Sequence, residues 1–152
     1  MHVRQKIRDA FIGRVTGLDT TADRVFRMRG HAIEAADYPC LQVFTGNEDV
    51  EVEAKGKPSA GEGPALRRTL DMMVLVRVKA DEDLFQDRVD DIAAEVEVAV
   101  AEDPTLDGLA LDTRLANSAP VTDADGSIVA GALVMTFRIR YRTAAGQPSM
   151  EV

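Results

Sequence analysis

The chain has 152 residues, 45% of them hydrophobic, which is enough for one domain with a sizeable core and too few to require two. Its net charge of −8 argues against nucleic acid as the main partner, since duplex binding depends on neutralising phosphates with a basic surface. No run approaches the roughly 18 consecutive apolar residues of a membrane span. The opening MHVRQKIRDAFIG also lacks the apolar block and cleavage site of a signal peptide, so a soluble protein made in the cytosol is expected.

Taken in chain order, the first element is a helix from Val3, with Val3, Ile7, Ala10, Phe11, Val15 and Leu18 on one face and Gly17 as its stop. Gly13 falls inside that pattern and weakens it. RVFRM (24–28) and CLQVF (40–44) read as short strands, with a loop between them. The lone cysteine, Cys40, excludes an internal disulfide and, among apolar neighbours, reads as a small buried hydrophobe. TGNEDVEVEAKGKPSAGEGP (45–64) begins with an alternation that could extend the strand, then turns to Gly, Pro, Ser and charge. A flexible loop at about 47–65 is expected, either simply disordered or binding a partner, with Asn47, Lys55, Lys57, Gly61 and Gly63 as its assembly residues in the second case.

Leu66–Lys79 returns to strand, with Met72, Val74, Val76 and Val78 on one face. The clearest helix follows: Asp83 and Gln86 resemble a capping box, Phe85, Val89, Ile92, Val96 and Ala99 or Val100 form the buried stripe, and Pro104 closes it. Leu109–Ala116 and Ile128–Arg142 read as the last strands, joined through Asp125-Gly126, whose residues both accept positive φ. A short tail at about 144–152 ends the chain. The expected fold is α+β: a mixed, mainly antiparallel sheet of about four to five strands with two helices on one face, in a single domain spanning 1–152.

Charge is unevenly spread. Residues 1–30 carry seven Arg or Lys against three Asp, whereas 81–112 carry twelve Asp or Glu against Arg88. Such asymmetry suits solvated faces, or copies that meet positive side to negative side. The outer face of the second helix holds Asp87, Asp90, Asp91 and Glu95, either as a solvated surface or as a dock for a basic partner. In FRIRYRT (137–143), Phe137, Ile139 and Tyr141 point one way and Arg138, Arg140 and Arg142 the other. That row faces either cross-strand acids and solvent, or acids on a neighbouring subunit.

No catalytic constellation is visible. His2 and His31 have no metal-ligand spacing, and GEGP (61–64) lacks the lysine and hydroxyl of a phosphate loop. DADG (123–126) resembles the start of a calcium loop, but the twelfth position is Val134, where a bidentate carboxylate is required, so it reads as a turn. No enzyme, cofactor or metal is expected.

TGLDTTADRVF (16–26), YPCLQVFTG (38–46), DPTLDGLA (103–110) and FRIRYRTAAGQP (137–148) together resemble, in order and rough spacing, the tail terminator (tail completion) proteins of tailed bacteriophages, small proteins similar to lambda's minor tail protein U. The resemblance spans most of the chain, and the insertion at 47–65 departs from it. It implies a virion tail protein, made in the host bacterial cytoplasm, that forms a hexameric ring on the major tail tube protein. Such a ring stops tube polymerisation and meets a head-completion connector, with DNA only passing through the lumen and no membrane involved. On that reading the charge pattern makes Arg138, Arg140, Arg142, Asp87, Asp90, Asp91 and Glu95 the candidates for subunit or tube contacts. Alternatives are another head–tail connector or neck protein, or a small dimeric ligand-binding α+β domain.

Overall fold

The computed structural model describes residues 1–27, 33–53, 64–79 and 84–152. In chain order the elements are α1 (Val3–Val15), β1 (Val25–Phe26), a single 3-10 turn (Ala35–Asp37), β2 (Cys40–Val52), β3 (Ala65–Arg77), α2 (Phe85–Ala101), β4 (Asp112–Thr122), β5 (Ile128–Ala144) and β6 (Gln147–Glu151). They build one six-stranded sheet in the order β1-β2-β3-β5-β4, with β6 pairing β5. Among the described residues β1–β2 is the parallel pairing, and the others are antiparallel. The fold is therefore α+β, with one or two more strands than the apolar runs suggested.

The period-2 alternation of the long strands gives the sheet two different faces. Leu41, Val43, Leu70, Met72, Val74, Val76, Met135, Phe137, Ile139 and Tyr141 point to the helix side and are buried. Val3, Ile7, Phe11, Ile12 and Val15 of α1, and Val89, Ile92, Val96 and Val100 of α2, pack onto them as one cluster. Phe11 and Phe137 meet at 5.4 Å between ring centroids, tilted by 59°. Burial of each such large side chain stabilises the fold by about 1.5–3 kcal/mol, which is what holds two helices of modest intrinsic stability in place.

Several boundaries differ from the sequence reading, each for a local reason. Gly13 does not interrupt α1, since the stripe on either side of it is buried. Thr16 caps the helix C-terminus, its hydroxyl donating to the Ile12 carbonyl at 2.6 Å, and Gly17 follows at φ 86°. β1 covers Val25–Phe26, without Arg24 or Arg27, and Met28 of the expected strand lies outside the described residues. Helix α2 starts after Leu84, which stands at φ 64° with no side-chain cap; Asp83 lies outside the described residues. It ends at Ala101, three residues before Pro104.

β4 starts at Asp112 instead of Leu109. The preceding segment is a tight turn in which Leu106, Asp107 and Gly108 all take positive φ, with Leu106 fully buried and the Asp103 carboxylate accepting from the Thr105 and Asp107 amides. In the β4–β5 turn only Gly126 has positive φ, because the loop spans Asp123–Ser127 and is closed by the Asp123 amide donating to the Ser127 carbonyl at 3.0 Å. The expected tail at 144–152 is instead largely strand β6, folded back at Gly146 (φ 75°) onto β5. The expected loop at 47–65 is likewise shortened. β2 runs through Asn47 to Val52, and β3 begins at Ala65. Lys55, Lys57, Gly61 and Gly63 lie outside the described residues.

Candidate functional site

Among the described residues no helix covers the second face of the sheet, and that is where β5 presents its arginines. Arg138 is opposite Asp71 of β3, Arg140 is opposite Asp112 of β4, and Arg142 is opposite Arg67 of β3. The acids come from β3, from β4 and from Glu53, the residue that follows β2. Arg138 Nε reaches Asp71 Oδ1 at 3.3 Å. Arg140 grips Asp112 with both arms of its fork, Nε to Oδ1 at 2.8 Å and Nη2 to Oδ2 at 2.6 Å, while Arg114 adds a third donor at 2.8 Å. Arg142 and Arg67, like charges facing each other, share Glu53, which takes one on each oxygen. The row therefore has acidic partners within its own chain, and solvent reaches it as well.

Electrostatics follow from this geometry. The hydrogen bonds from Arg140, and then from Arg114, hold the Asp112 carboxyl down at about 2 despite partial burial. The Arg142 hydrogen bond likewise lowers Glu53. Bidentate arginine–carboxylate pairing favours the ionised form and fixes both side chains in one plane.

Beside this charged ladder the same face turns apolar. Phe44 pairs with Met73, and Leu75 with Val134, across adjacent strands. Together with Pro120, Val121 and Thr122 they line a hollow of about 240 Å³. Next to them Gln42 is fully buried and accepts from Arg77 Nε at 2.9 Å.

On the helix side, the acids of α2 divide. Asp87, Asp90 and Asp91 are exposed. Glu95 is partly buried and accepts from the Thr20 amide at 2.9 Å, so it ties the segment after α1 to α2. Arg14 completes that link, donating to the Ala99 carbonyl and to Glu102, both at 3.2 Å, where a cation complements the α2 C-terminus. The structure thus separates the arginine row from the α2 acids, on opposite faces of the sheet.

One cluster was not anticipated. Glu48 lies on the helix side with its side chain only 8% exposed. It takes Arg68 at 2.8 Å, Arg4 of α1 at 3.5 Å and the Tyr141 hydroxyl at 2.5 Å. Arg68 also donates to Thr143 Oγ1 at 2.9 Å. Burial first, and then the bond to Glu48, push the Tyr141 phenol upward. His2 caps α1 beside this cluster through Nδ1, accepting from the Arg4 amide at 3.0 Å; burial and the Arg4 and Arg68 charges lower its pKa. A β-bulge between Thr45 and Glu48 creates the arrangement: if the same residues paired regularly from Thr45 onward, Glu48 would sit opposite Thr69 and face outward. Gly46 inside an apolar-to-acidic strand was the only sequence signal for it.

Cys40 is fully buried, and burial pushes its thiol up to about 11, which leaves it inert. Among the described residues no group of three or more His, Cys, Asp or Glu is placed to hold a metal ion, and no helix is long and apolar enough to cross a membrane. No protein-family model matches the chain, and no curated protein matches it.

Proposed function

We propose that the chain is a structural virion subunit of the tail terminator kind, which assembles as a ring, caps the phage tail tube, stops its growth and meets the head connector. The observation that carries this reading is the open sheet face. Its Arg138, Arg140 and Arg142 are immobilised by Asp71, Asp112 and Glu53 next to an apolar hollow around Phe44 and Val134. An apolar hollow flanked by side chains that are already paired suits a subunit contact, because paired side chains lose less freedom on binding. Opposite ends of the sheet are unlike each other, β1 at one and β4 at the other, which suits the head-to-tail contacts from which rings are built.

The test is assembly. Mixed with its polymerising tail tube protein, the purified chain should form closed rings in negative stain and yield tubes of arrested length. Val134→Asp, which places a charge in the hollow, should leave the melting curve near that of the wild type and abolish both effects. A chain that stays monomeric, binds no tube end and leaves tube length unlimited would overturn the proposal.

A further inference from the structure

A second surface, on the helix side and at the far end of the β4–β5 hairpin, fits a different kind of partner. Phe85 and Val89 of α2, Pro120 of β4, and Ile128 and Leu133 of β5 line a groove of about 420 Å³, within the roughly 300–1,000 Å³ typical of recognition sites. Val89 is buried within it, whereas Ile128 on its wall and Leu84 just outside it are open to water. Ile128 is 69% exposed, and Leu84, adjacent to Phe85, is 74% exposed while held at φ 64°, a conformation unfavourable for a bulky residue. Asp87 and Asp90 stand on the rim. We infer that this groove docks a short segment of another protein that carries large apolar side chains flanked by lysine or arginine.

Charge complementarity sets the occupant. The rim is acidic, so apolar anchors alone would leave the two carboxylates facing nothing, whereas flanking cations would match them. A second copy of this chain is poorly equipped for the role. Among the described residues most of its exposed cations are engaged at home: Arg4 with Glu48, Lys6 with Glu151, Arg67 with Glu53, Arg114 with Asp112 and Arg138 with Asp71. The groove lies on the opposite side of the sheet from the arginine ladder, so it can be probed without reference to tube capping.

Two labelled peptides with the same pair of leucines, one flanked by lysines and one by glutamates, test this by fluorescence anisotropy on the full chain. The lysine peptide should bind saturably. Its binding should weaken roughly tenfold or more in Ile128→Ser and, separately, in the Asp87→Lys/Asp90→Lys double variant, with circular dichroism and melting unchanged. Raised salt should weaken it as well. The glutamate peptide should not bind. Three results would overturn the inference: no saturable binding of the lysine peptide, equal binding of both peptides, or full binding by both variants. Concentration-dependent self-association that Ile128→Ser abolishes would also overturn it, by giving the groove to a second copy.

Discussion

Tyr141 of β5 donates a 2.5 Å hydrogen bond to Glu48 of β2, spanning the β3 strand that lies between them. The same carboxylate neutralises Arg68, 13% exposed, and draws in Arg4 at the start of α1. Three strands and a helix are thus joined through one side chain.

Glu48→Gln should destabilise the fold by about 2–4 kcal/mol, because it leaves Arg68 largely buried without its counter-charge. Tyr141→Phe removes one hydrogen bond and should cost about 1–2 kcal/mol. Urea denaturation of each, and of Glu48→Gln combined with Arg68→Met, checks this. The double variant should be less destabilised than the single Glu48 variant, and strict additivity would show that the two side chains do not interact.

Deleting Asn47 should be tolerated better than a deletion inside a strand usually is. It removes the one extra residue of the bulge, so the pairing becomes continuous and Glu48 stays opposite Leu70, facing Arg68 and Tyr141. A loss of no more than about 1–2 kcal/mol is expected. In that background, Tyr141→Phe should cost as much as it does in the wild type. No additional loss would mean that Glu48 has turned outward.

Gly131 and Gly126 both have positive φ, at 73° and 86°, yet they should respond differently to alanine. A Cβ at Gly131 would lie 2.6 Å from the Val78 carbonyl, whereas one at Gly126 would meet nothing within 4 Å. Gly126→Ala should therefore cost only the left-handed backbone penalty, about 1 kcal/mol, and Gly131→Ala about 2–4 kcal/mol because the β3–β5 pairing must also shift. Thermal melts of the two variants compare these costs directly, and equal shifts would contradict the close approach.

The Arg140–Asp112 pair should contribute a pH-dependent increment to stability. The folded-state pKa of Asp112 is depressed to about 2 from an ordinary 3.8, so the contribution is complete above about pH 4 and disappears as pH falls through about 2. Arg140 is 45% exposed, and solvent screening limits the increment to about 0.5–1 kcal/mol. Arg140→Gln should be less stable than the wild type by that amount near pH 7, and the two should converge near pH 2. Urea titrations at pH 2, 4 and 7 measure it, and a gap independent of pH would assign the effect to packing.

Both helices and the core faces of β3 and β5 were legible in the sequence, because their apolar spacing is long and regular and packing reinforces it. The start of β4 was not, since Leu106 and Asp107 enter the left-handed region without being glycine and only the buried Leu106 makes that favourable. β6 was hidden because Gln147–Glu151 has no apolar alternation and forms only by pairing with a strand already in place. For the sheet face, the direction of Arg138, Arg140 and Arg142 followed from period 2 alone. Their partners did not, because Asp71, Asp112 and Glu53 come from strands whose register is set by long-range pairing. Glu48 needed one further fact, the position of a single extra residue.

The internal matching of the arginine ladder also governs how quickly anything can land on that sheet face. The guanidiniums of Arg67, Arg114, Arg138, Arg140 and Arg142 share Asp71, Asp112 and Glu53, and Asp49 and Glu51 lie on the same face opposite Thr69 and Arg67, so the ladder projects little long-range field and an approaching partner is not drawn in from a distance. Encounter through this face should proceed at the unsteered rate of about 10⁵–10⁶ M⁻¹s⁻¹, nearly flat against ionic strength. The lifetime of any complex formed there would then be decided by how well Phe44, Met73 and Val134 are filled.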